Sequence, residues 1–245
     1  MRTLSISILS LAALFFSITN ANADVTVQLA NQGIELRYPE NVRLLNVLQD
    51  SKKNSDITPY TFASKLFDSA QQASTEQLLA STIARLKLLA ENPIYTSQAD
   101  KLIKQLSQFS YGYRLNVPLE LDRIRLNSDL NPLLSGGYEL YEVSRPNTVT
   151  LFGVLNQSVE LEHSASKTVH DYLEQVQPEA KANNSVATII YPNGQLLETG
   201  YAYWNNQFTS IPPGSFIFLG FSASDDLQEL ENNIIHLLAS IKGKK

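Results

Sequence analysis

The stretch that decides the fold runs from Tyr191 to Phe221 and reads YPNGQLLETGYAYWNNQFTSIPPGSFIFLGF. It contains the single Trp of the chain, three Tyr and four Phe. Two turn signals divide it, PNG at residues 192–194 and PPG at residues 212–214, so we expect the pieces between and after them to be strands of one sheet. The run SFIFLGF, which begins at Ser215, predicts a final strand covered on both faces, or on one face with an aromatic partner on the other.

An internal repeat organises the rest of the chain. The segment Val25 to Tyr38 alternates apolar and polar residues around the turn signal NQG at residues 31–33, a pattern that predicts a β-hairpin. The segment Val149 to His163 repeats this pattern, with Val149 in the place of Val25 and a second Asn-Gln pair at the turn. We therefore expect two units built on the same hairpin.

Each hairpin leads into a helix and then into a closing strand. The helix signals begin at Asn41 and at Ser166, and the hydroxyl of Ser166 is suited to cap the second helix. The closing strands are Gly136 to Val143 in the first unit and Pro213 to Leu219 in the second. A small sheet that grasps one helix is typical of the β-grasp arrangement, so the sequence predicts an α+β protein with two β-grasp-like domains.

The predicted domains carry two helical additions. We place the first domain at residues 24–145 and the second at residues 146–222. A helical hairpin, about residues 61–108, interrupts the first domain, and it either packs on a sheet or docks on a partner. Residues 223–245 form a C-terminal amphipathic helix, whose apolar stripe runs from Asp225 to Lys242. We expect this stripe to fold back onto the protein's own domains, with docking on a partner as the second interpretation.

The N-terminus has the pattern of an export signal. Arg2 precedes an apolar run from about Ile6 to Ile18 and the small-residue site ANA at residues 21–23. This pattern predicts a signal peptide at residues 1–23, cleaved near Ala23, and hence a periplasmic protein with no retained transmembrane span. The chain has no Cys for disulfides or acylation. Its formal net charge of −5 argues against nucleic acid as the main partner.

Signatures of catalysis are sparse. The three His, at His163, His170 and His236, lie on separate predicted elements, so no metal site and no cofactor are predicted. The sequence contains no nucleophile elbow, phosphate-binding loop or dinucleotide fingerprint. We therefore predict no catalytic residues. Because the two carboxylates of a glycosidase carry no motif, a glycan-modifying enzyme, a hydrolase or a deacetylase, remains the alternative.

Several motifs together resemble one known family. They are YGYR at residues 111–114, NPLLSGGYEL at 131–140, RPNTV at 145–149, YWN at 203–205 and IPPGSFIFL at 211–219. These motifs closely resemble the GfcC-like family of periplasmic capsule and exopolysaccharide biosynthesis proteins, and the similarity covers essentially the whole mature chain. The resemblance implies two β-grasp domains related to the soluble ligand-binding β-grasp domains of polysaccharide export channels. It also implies a role in assembling or exporting surface polysaccharide, without a known catalytic activity.

The resemblance also implies which partners to expect and a third interpretation of the C-terminal helix. The expected partners are surface polysaccharide, export proteins of the outer membrane, or both. In the related export channels a terminal amphipathic helix spans the outer membrane, which makes membrane insertion the third interpretation of the C-terminal helix. At about 18 residues this helix is about 27 Å long, which is marginal for a hydrocarbon core of about 30 Å.

Five residues are the candidate binding residues. Arg114 lies in the segment that the resemblance singles out, and its guanidinium, near Tyr111 and Tyr113, suits a carboxylate of an acidic sugar or of a partner. The competing interpretation is a structural ion pair stacked on a ring. Tyr203 and Trp204 are the second group, either as a platform that stacks on sugars or as ordinary packing residues.

Overall fold

The structure is a computed structural model that describes residues 25–222 and 225–245, with the backbone alone for Asp225. The signal peptide predicted at residues 1–23 lies outside the described residues. The strands are β1 (Val25–Leu29), β2 (Ile34–Tyr38), β3 (Val42–Arg43), β4 (Lys65–Asp68), β5 (Phe109–Tyr111), β6 (Leu133–Leu134), β7 (Gly137–Tyr141), β8 (Thr148–Gly153), β9 (Val159–Glu162), β10 (Val186–Ile190), β11 (Leu196–Gly200), β12 (Phe216–Leu219) and β13 (Ile241–Lys244). The α-helices are α1 (Leu44–Asn54), α2 (Gln72–Ala90), α3 (Thr96–Ser107), α4 (Leu121–Leu126), α5 (Val169–Leu173) and α6 (Gln228–Ala239).

Two sheets share one topology, and the α+β prediction is confirmed. The first sheet has the strand order β2-β1-β7-β4, and the second has the order β11-β10-β12-β8-β9. In both, the hairpin strands are antiparallel and the closing strand runs parallel to the first hairpin strand. The helix after each hairpin, α1 or α5, packs against one face of its sheet. Both units are therefore β-grasp domains.

The closing strand of the second domain, β12, is covered on both faces, as one of the two predicted alternatives requires. Ile217 and Leu219 contact α5 and its surroundings on one face. Phe218 faces the opposite side, within a cluster formed by α2, α3 and α6. After β11, by contrast, residues 201–213 contain no strand, so the aromatic piece between the two turn signals is a loop.

Helix α5, which follows the second hairpin, has its N-cap two residues later than the sequence predicted. Its cap is Thr168, whose hydroxyl accepts a hydrogen bond from the backbone N–H of Asp171. The Asp171 carboxylate in turn accepts from the N–H of Thr168 at 2.6 Å. The prediction of Ser166 as the cap is wrong because Thr168 and Asp171 have the three-residue spacing that satisfies two backbone N–H groups at once. The Ser166 hydroxyl instead pairs with that of Ser164.

The segment predicted as a helical hairpin contains α2 and α3, but it begins with a strand. Residues 65–68 form β4, which pairs antiparallel with β7 in the first sheet. A strand of four residues leaves too short an alternation to be told from its helical surroundings. The helices do not cover their own sheet, because they pack with α6 against the second sheet.

Polar contacts fasten α3 to the second domain. The side chain of Gln105, which is almost fully buried, donates to the carbonyl of Gly153 at 2.9 Å and accepts from its N–H at 3.1 Å. Lys101 forms an ion pair of 2.5 Å with Glu179. Gly153 has φ +130°, and a β-carbon there would come within 2.1 Å of the Leu219 carbonyl oxygen, so only glycine fits.

The C-terminal helix folds back onto the protein, which is the interpretation that the sequence favoured. Leu230, Ile234 and Leu237 are buried in the cluster that covers the second sheet. The predicted helix end at Lys242 is wrong, because α6 ends at Ala239 and the following residues pair with β5 as strand β13. In the part of the chain that the structure describes, no helix has the length and apolarity to cross a membrane.

Candidate functional site

Arg114 lies between the two domains, just after β5. Its Nη1 donates a hydrogen bond of 3.1 Å to the carbonyl of Ala239, at the end of α6. Its Nη2 donates one of 2.8 Å to the carbonyl of Pro192, in the turn before β11. An isolated bridge joins its backbone to Phe67 of β4. Arg114 thus links the first sheet, the C-terminal helix and the second domain.

The charge of Arg114 is retained although the side chain is largely enclosed. Burial lowers the pKa of Arg114 to about 10, so the guanidinium stays protonated at neutral pH. Within the described residues, hydrogen bonds to two carbonyls take the place of the structural ion pair that the sequence suggested. Because a guanidinium has five N–H donors, these two bonds leave donors for another acceptor.

Arg114 also lines a cavity of about 280 Å³ in the cleft between the domains. Besides the hydroxyls of Thr61 and Ser64, the other polar side chains around it are Asn116, Glu120, Arg123, Asn193 and Gln195. Amides, a carboxylate and two guanidinium groups can hydrogen-bond the hydroxyl and carboxylate groups of a polar ligand. Sequence reasoning missed most of this set, because it comes from segments far apart in the chain, each without a motif.

The two Tyr predicted to bind a ligand beside Arg114 instead make contacts within the protein. Tyr111 is buried, and its hydroxyl donates to the carbonyl of Leu106 at 2.8 Å. Burial raises the pKa of Tyr111, as expected of a phenol inside an apolar cluster. Tyr113 is half-buried, and its carbonyl accepts from the N–H of Asp68 at 2.9 Å. Tyr111 is therefore a packing residue, and Tyr113 anchors the chain to β4 through its backbone.

Tyr203 and Trp204 form the tip of a turn that follows β11. Tyr203 is 97% exposed and Trp204 is 72% exposed, which is incompatible with core packing. Phe208, a few residues later, is 74% exposed. We call Tyr203, Trp204 and Phe208 the aromatic turn.

The aromatic turn is held in place by hydrogen bonds that Ala202 and Asn205 make. The N–H of Ala202 donates to the side chain of Asn205 at 2.9 Å, and the N–H of Asn205 donates to the carbonyl of Ala202 at 3.0 Å. The amide of Asn205 also donates to the carbonyl of Ser185 at 3.1 Å, which ties the turn to the start of β10. The rings therefore project from a braced backbone.

The candidate residues occupy two locations. The turn at Pro192, which contacts Arg114, precedes β11, and the aromatic turn follows it. Five residues of strand span about 16 Å, so one ligand group cannot contact Arg114 and Trp204 together. Among residues 25–222 and 225–245, no group of three or more acidic or His side chains could hold a metal ion.

The architecture and the sequence comparisons together define the family. The chain is a tandem β-grasp protein with a helical insert and a C-terminal helix packed on its second domain. Residues 21–145 match the family described as "Capsule biosynthesis GfcC, N-terminal", and residues 157–241 match "Capsule biosynthesis GfcC C-terminal". The chain therefore belongs to the GfcC family of capsule biosynthesis proteins.

A relative from Escherichia coli K12 carries no assigned function. It is named "Uncharacterized protein YjbG" and is 29% identical over 160 residues. The match covers 63% of this chain and 65% of that protein, slightly less than two thirds of its length.

Proposed function

We propose that this protein is a periplasmic accessory of capsule or exopolysaccharide biosynthesis or export, and that it acts by binding polysaccharide without catalysis. Membership of the GfcC family, which is described by capsule biosynthesis, supports the biosynthetic process in this proposal. The observation that carries the binding role is the braced, exposed aromatic turn at Tyr203 and Trp204. The export signal at the N-terminus supports the periplasmic location.

The chemistry of the aromatic turn suits a saccharide. Sugar rings have apolar C–H faces that stack on aromatic rings, and hydroxyl groups that pair with amides. Residues 201–214 contain no charged side chain, and the amides of Asn206 and Gln207 are exposed beside the rings. Because Asn205 already holds the backbone in place, little conformational entropy is lost when a ligand binds.

Tryptophan emission tests the proposal directly, since Trp204 is the only Trp. Titration of the mature protein with the native surface polysaccharide should shift this emission. Calorimetric titration should then show that Trp204→Ala and Tyr203→Ala each weaken binding about fivefold, because stacking contributes about 1 kcal/mol per ring.

The matched control is Leu126→Ala, which truncates a side chain that is 89% exposed on α4. This variant should bind like the parent, and all three variants should unfold at the parent temperature. Unchanged binding by Trp204→Ala would remove the turn as a saccharide platform. Retention of an outer-membrane export protein by the parent, lost in Trp204→Ala, would assign the same turn to a protein partner.

A glycan-modifying enzyme is the second candidate, and one cavity favours it. Glu142 and Glu120 both line a cavity of about 440 Å³ in the first domain. Glu142 is 7% exposed and accepts a hydrogen bond of 2.5 Å from the buried hydroxyl of Ser51. Two carboxylates on one cavity are what a glycosidase requires. A change in polysaccharide chain length or acetylation, lost in Glu142→Gln, would replace the non-catalytic proposal by this one.

A further inference from the structure

The outer face of the first sheet carries a charged cluster that the proposed function does not use. In β4 and β7, Lys65 lies opposite Tyr141 and Phe67 lies opposite Glu139. Because side chains alternate along a strand, these four share one face, whereas Leu66 packs in the core on the other face.

Strand β13 closes over this face and brings a second lysine. Lys242 donates to Glu139 at 2.7 Å, and its ammonium lies 5.6 Å from the centre of the Phe67 ring. The Tyr141 hydroxyl donates to the other oxygen of Glu139 at 3.2 Å. Both oxygens of the only carboxylate in the cluster are therefore engaged by neighbours other than Lys65.

Lys65 has a hydrogen bond but no counter-charge. Its side chain is half-buried, and the ammonium donates to the carbonyl of Ile241 at 2.7 Å. Within residues 25–222 and 225–245, no carboxylate forms an ion pair with Lys65. Burial, and then the charge of Arg114, lower the pKa of Lys65 to about 7. With Lys65 protonated, two cations, Lys65 and Lys242, share the face that holds the carboxylate of Glu139, and the charge of Arg114 also acts on Lys65.

The two lysines line a crevice of about 110 Å³ between the domains. Pro192 and Gly214 of the second domain form its opposite wall, and Tyr141 lies at its side. A space of this size holds about four water molecules, and therefore a small anion or the charged end of a larger molecule. Because the Tyr141 hydroxyl already donates its hydrogen bond to Glu139, the donors left for an anion are the ammonium groups.

We propose that this crevice binds a single anionic oxygen group, a carboxylate or a tetrahedral oxyanion, through the ammonium groups of Lys65 and Lys242. A partly buried cation without a counter-ion costs free energy, and an anion in the crevice supplies that counter-ion. The anion is either a free ion or the charged group of an acidic saccharide. The inference stands without the aromatic turn, so its failure would leave the proposed function untouched.

Sulfate is the decisive probe, because its charge does not change between about pH 6 and about pH 9. In calorimetric titrations at constant ionic strength, sulfate should bind the parent and should raise its unfolding temperature. Since binding requires protonated Lys65, the apparent affinity should fall about a hundredfold from about pH 6 to about pH 9. Of the other groups that face Lys65, Arg114 and Tyr141 have pKa values of about 10 and 12, so neither changes its charge over most of this range. Lys242 and Glu139 form an ion pair with each other.

Two variants and two sugars complete the experiment. Lys65→Met should abolish sulfate binding, whereas Lys104→Met, at an exposed position on α3, should bind like the parent. Glucuronate that competes with sulfate, when glucose does not, would identify the source as an acidic saccharide, and sulfate binding alone would identify a free anion. The inference is overturned if Lys65→Met still binds sulfate or if the parent does not. Should Lys65→Met fail to fold, an affinity of the parent that does not change with pH overturns it equally.

Discussion

The two β-grasp sheets share four equivalent strands, to which the second sheet adds β11, but their outer faces differ in polarity. In the first sheet, Gln28 of β1 lies beside Glu139 of β7. At the equivalent place in the second sheet, Phe152 of β8 lies beside Phe218 of β12. Gln28 is exposed, whereas both Phe are almost fully buried. One pair of positions in a repeated fold is therefore polar in the first copy and aromatic in the second.

This difference explains where the helical additions lie. The second sheet presents apolar side chains on both faces, so a second layer must cover the face opposite α5. Helices α2 and α3, although inserted in the first unit, provide that layer together with α6. The outer face of the first sheet lies under strand β13 rather than under helices, and it holds charged residues such as Lys65 and Glu139. The second sheet therefore has an apolar outer face that packs against helices, whereas the first has a charged outer face. We call the first sheet the charged sheet.

Removal of the covering layer should have the largest effect. Deletion of residues 223–245 removes α6 and β13 and exposes the outer face of the second sheet. The buried side chains that are lost include Leu230, Ile234, Leu237 and Leu238, and these four alone, at about 1.5–3 kcal/mol each, approach the whole stability of a typical domain. We expect aggregation or a very low unfolding temperature in size-exclusion and calorimetric measurements. Deletion of residues 244–245 alone serves as the control, and a monomeric, equally heat-stable longer deletion would contradict the fold-back packing.

The equivalent pair Phe152 and Gln28 tests the comparison at one position. Phe152→Ala should lower the free energy of unfolding by about 3–5 kcal/mol, because it leaves a cavity under α2 and α3. Gln28→Ala removes one exposed hydrogen bond to Glu35 and should change it by less than about 0.5 kcal/mol. Urea unfolding followed by circular dichroism measures both. Similar losses for the two variants would contradict the difference in packing between these two positions.

The charged sheet should make stability depend on pH through Lys65. Its pKa of about 7 in the folded protein lies below the value of about 10.4 expected for the unfolded chain. Between these values the unfolded state binds more protons, so the free energy of unfolding rises with pH, by at most about 2 kcal/mol from pH 7 to about pH 9. In chloride buffers Lys65→Met should remove this rise and Lys104→Met should keep it. A pH profile that is the same in both variants would exclude Lys65 as its cause.

The helix caps should give the smallest effects. Thr168 caps α5 from the adjacent residue, whereas the N-terminus of α1 receives the side chain of Asn131, which accepts from the N–H of Leu45 at 2.9 Å. Thr168→Ala and Asn131→Ala should each cost about 1 kcal/mol. Arg43→Ala, at the cap position of α1 without a capping hydrogen bond, should cost less. Equal costs for Arg43→Ala and Asn131→Ala in thermal unfolding would refute the long-range cap.

The parts of the fold that the sequence predicted depend on local pattern. The hairpins follow from alternation around Asn-Gln turns, and α2 and α3 follow from helical spacing. Strand β13 was missed because Ile241 becomes a strand residue only by pairing with Tyr111, far away in the chain. The cap from Asn131 was missed for the same reason, since its helix lies 86 residues earlier.

The candidate site was predicted unevenly for a related reason. Trp204 and Tyr203 stand out by composition, but the sequence left their packing or exposure open, and only the structure shows that both are exposed. Arg114 was found only through a family resemblance, and its carbonyl partners belong to segments at Pro192 and Ala239. Lys65 looked like part of a helical insert, because nothing near it in sequence indicates β4 or the cations across the sheet.

The exposure of Trp204 has a practical consequence for anyone who follows this protein by its intrinsic light emission. An indole that already contacts water in the native state changes its surroundings little when the chain unfolds, so denaturation should leave the emission spectrum almost unmoved. The same probe stands at the surface where a sugar ring would displace that water. The emission of Trp204 should therefore respond to ligand binding but hardly to unfolding. Saccharide binding can then be measured even in variants of reduced stability.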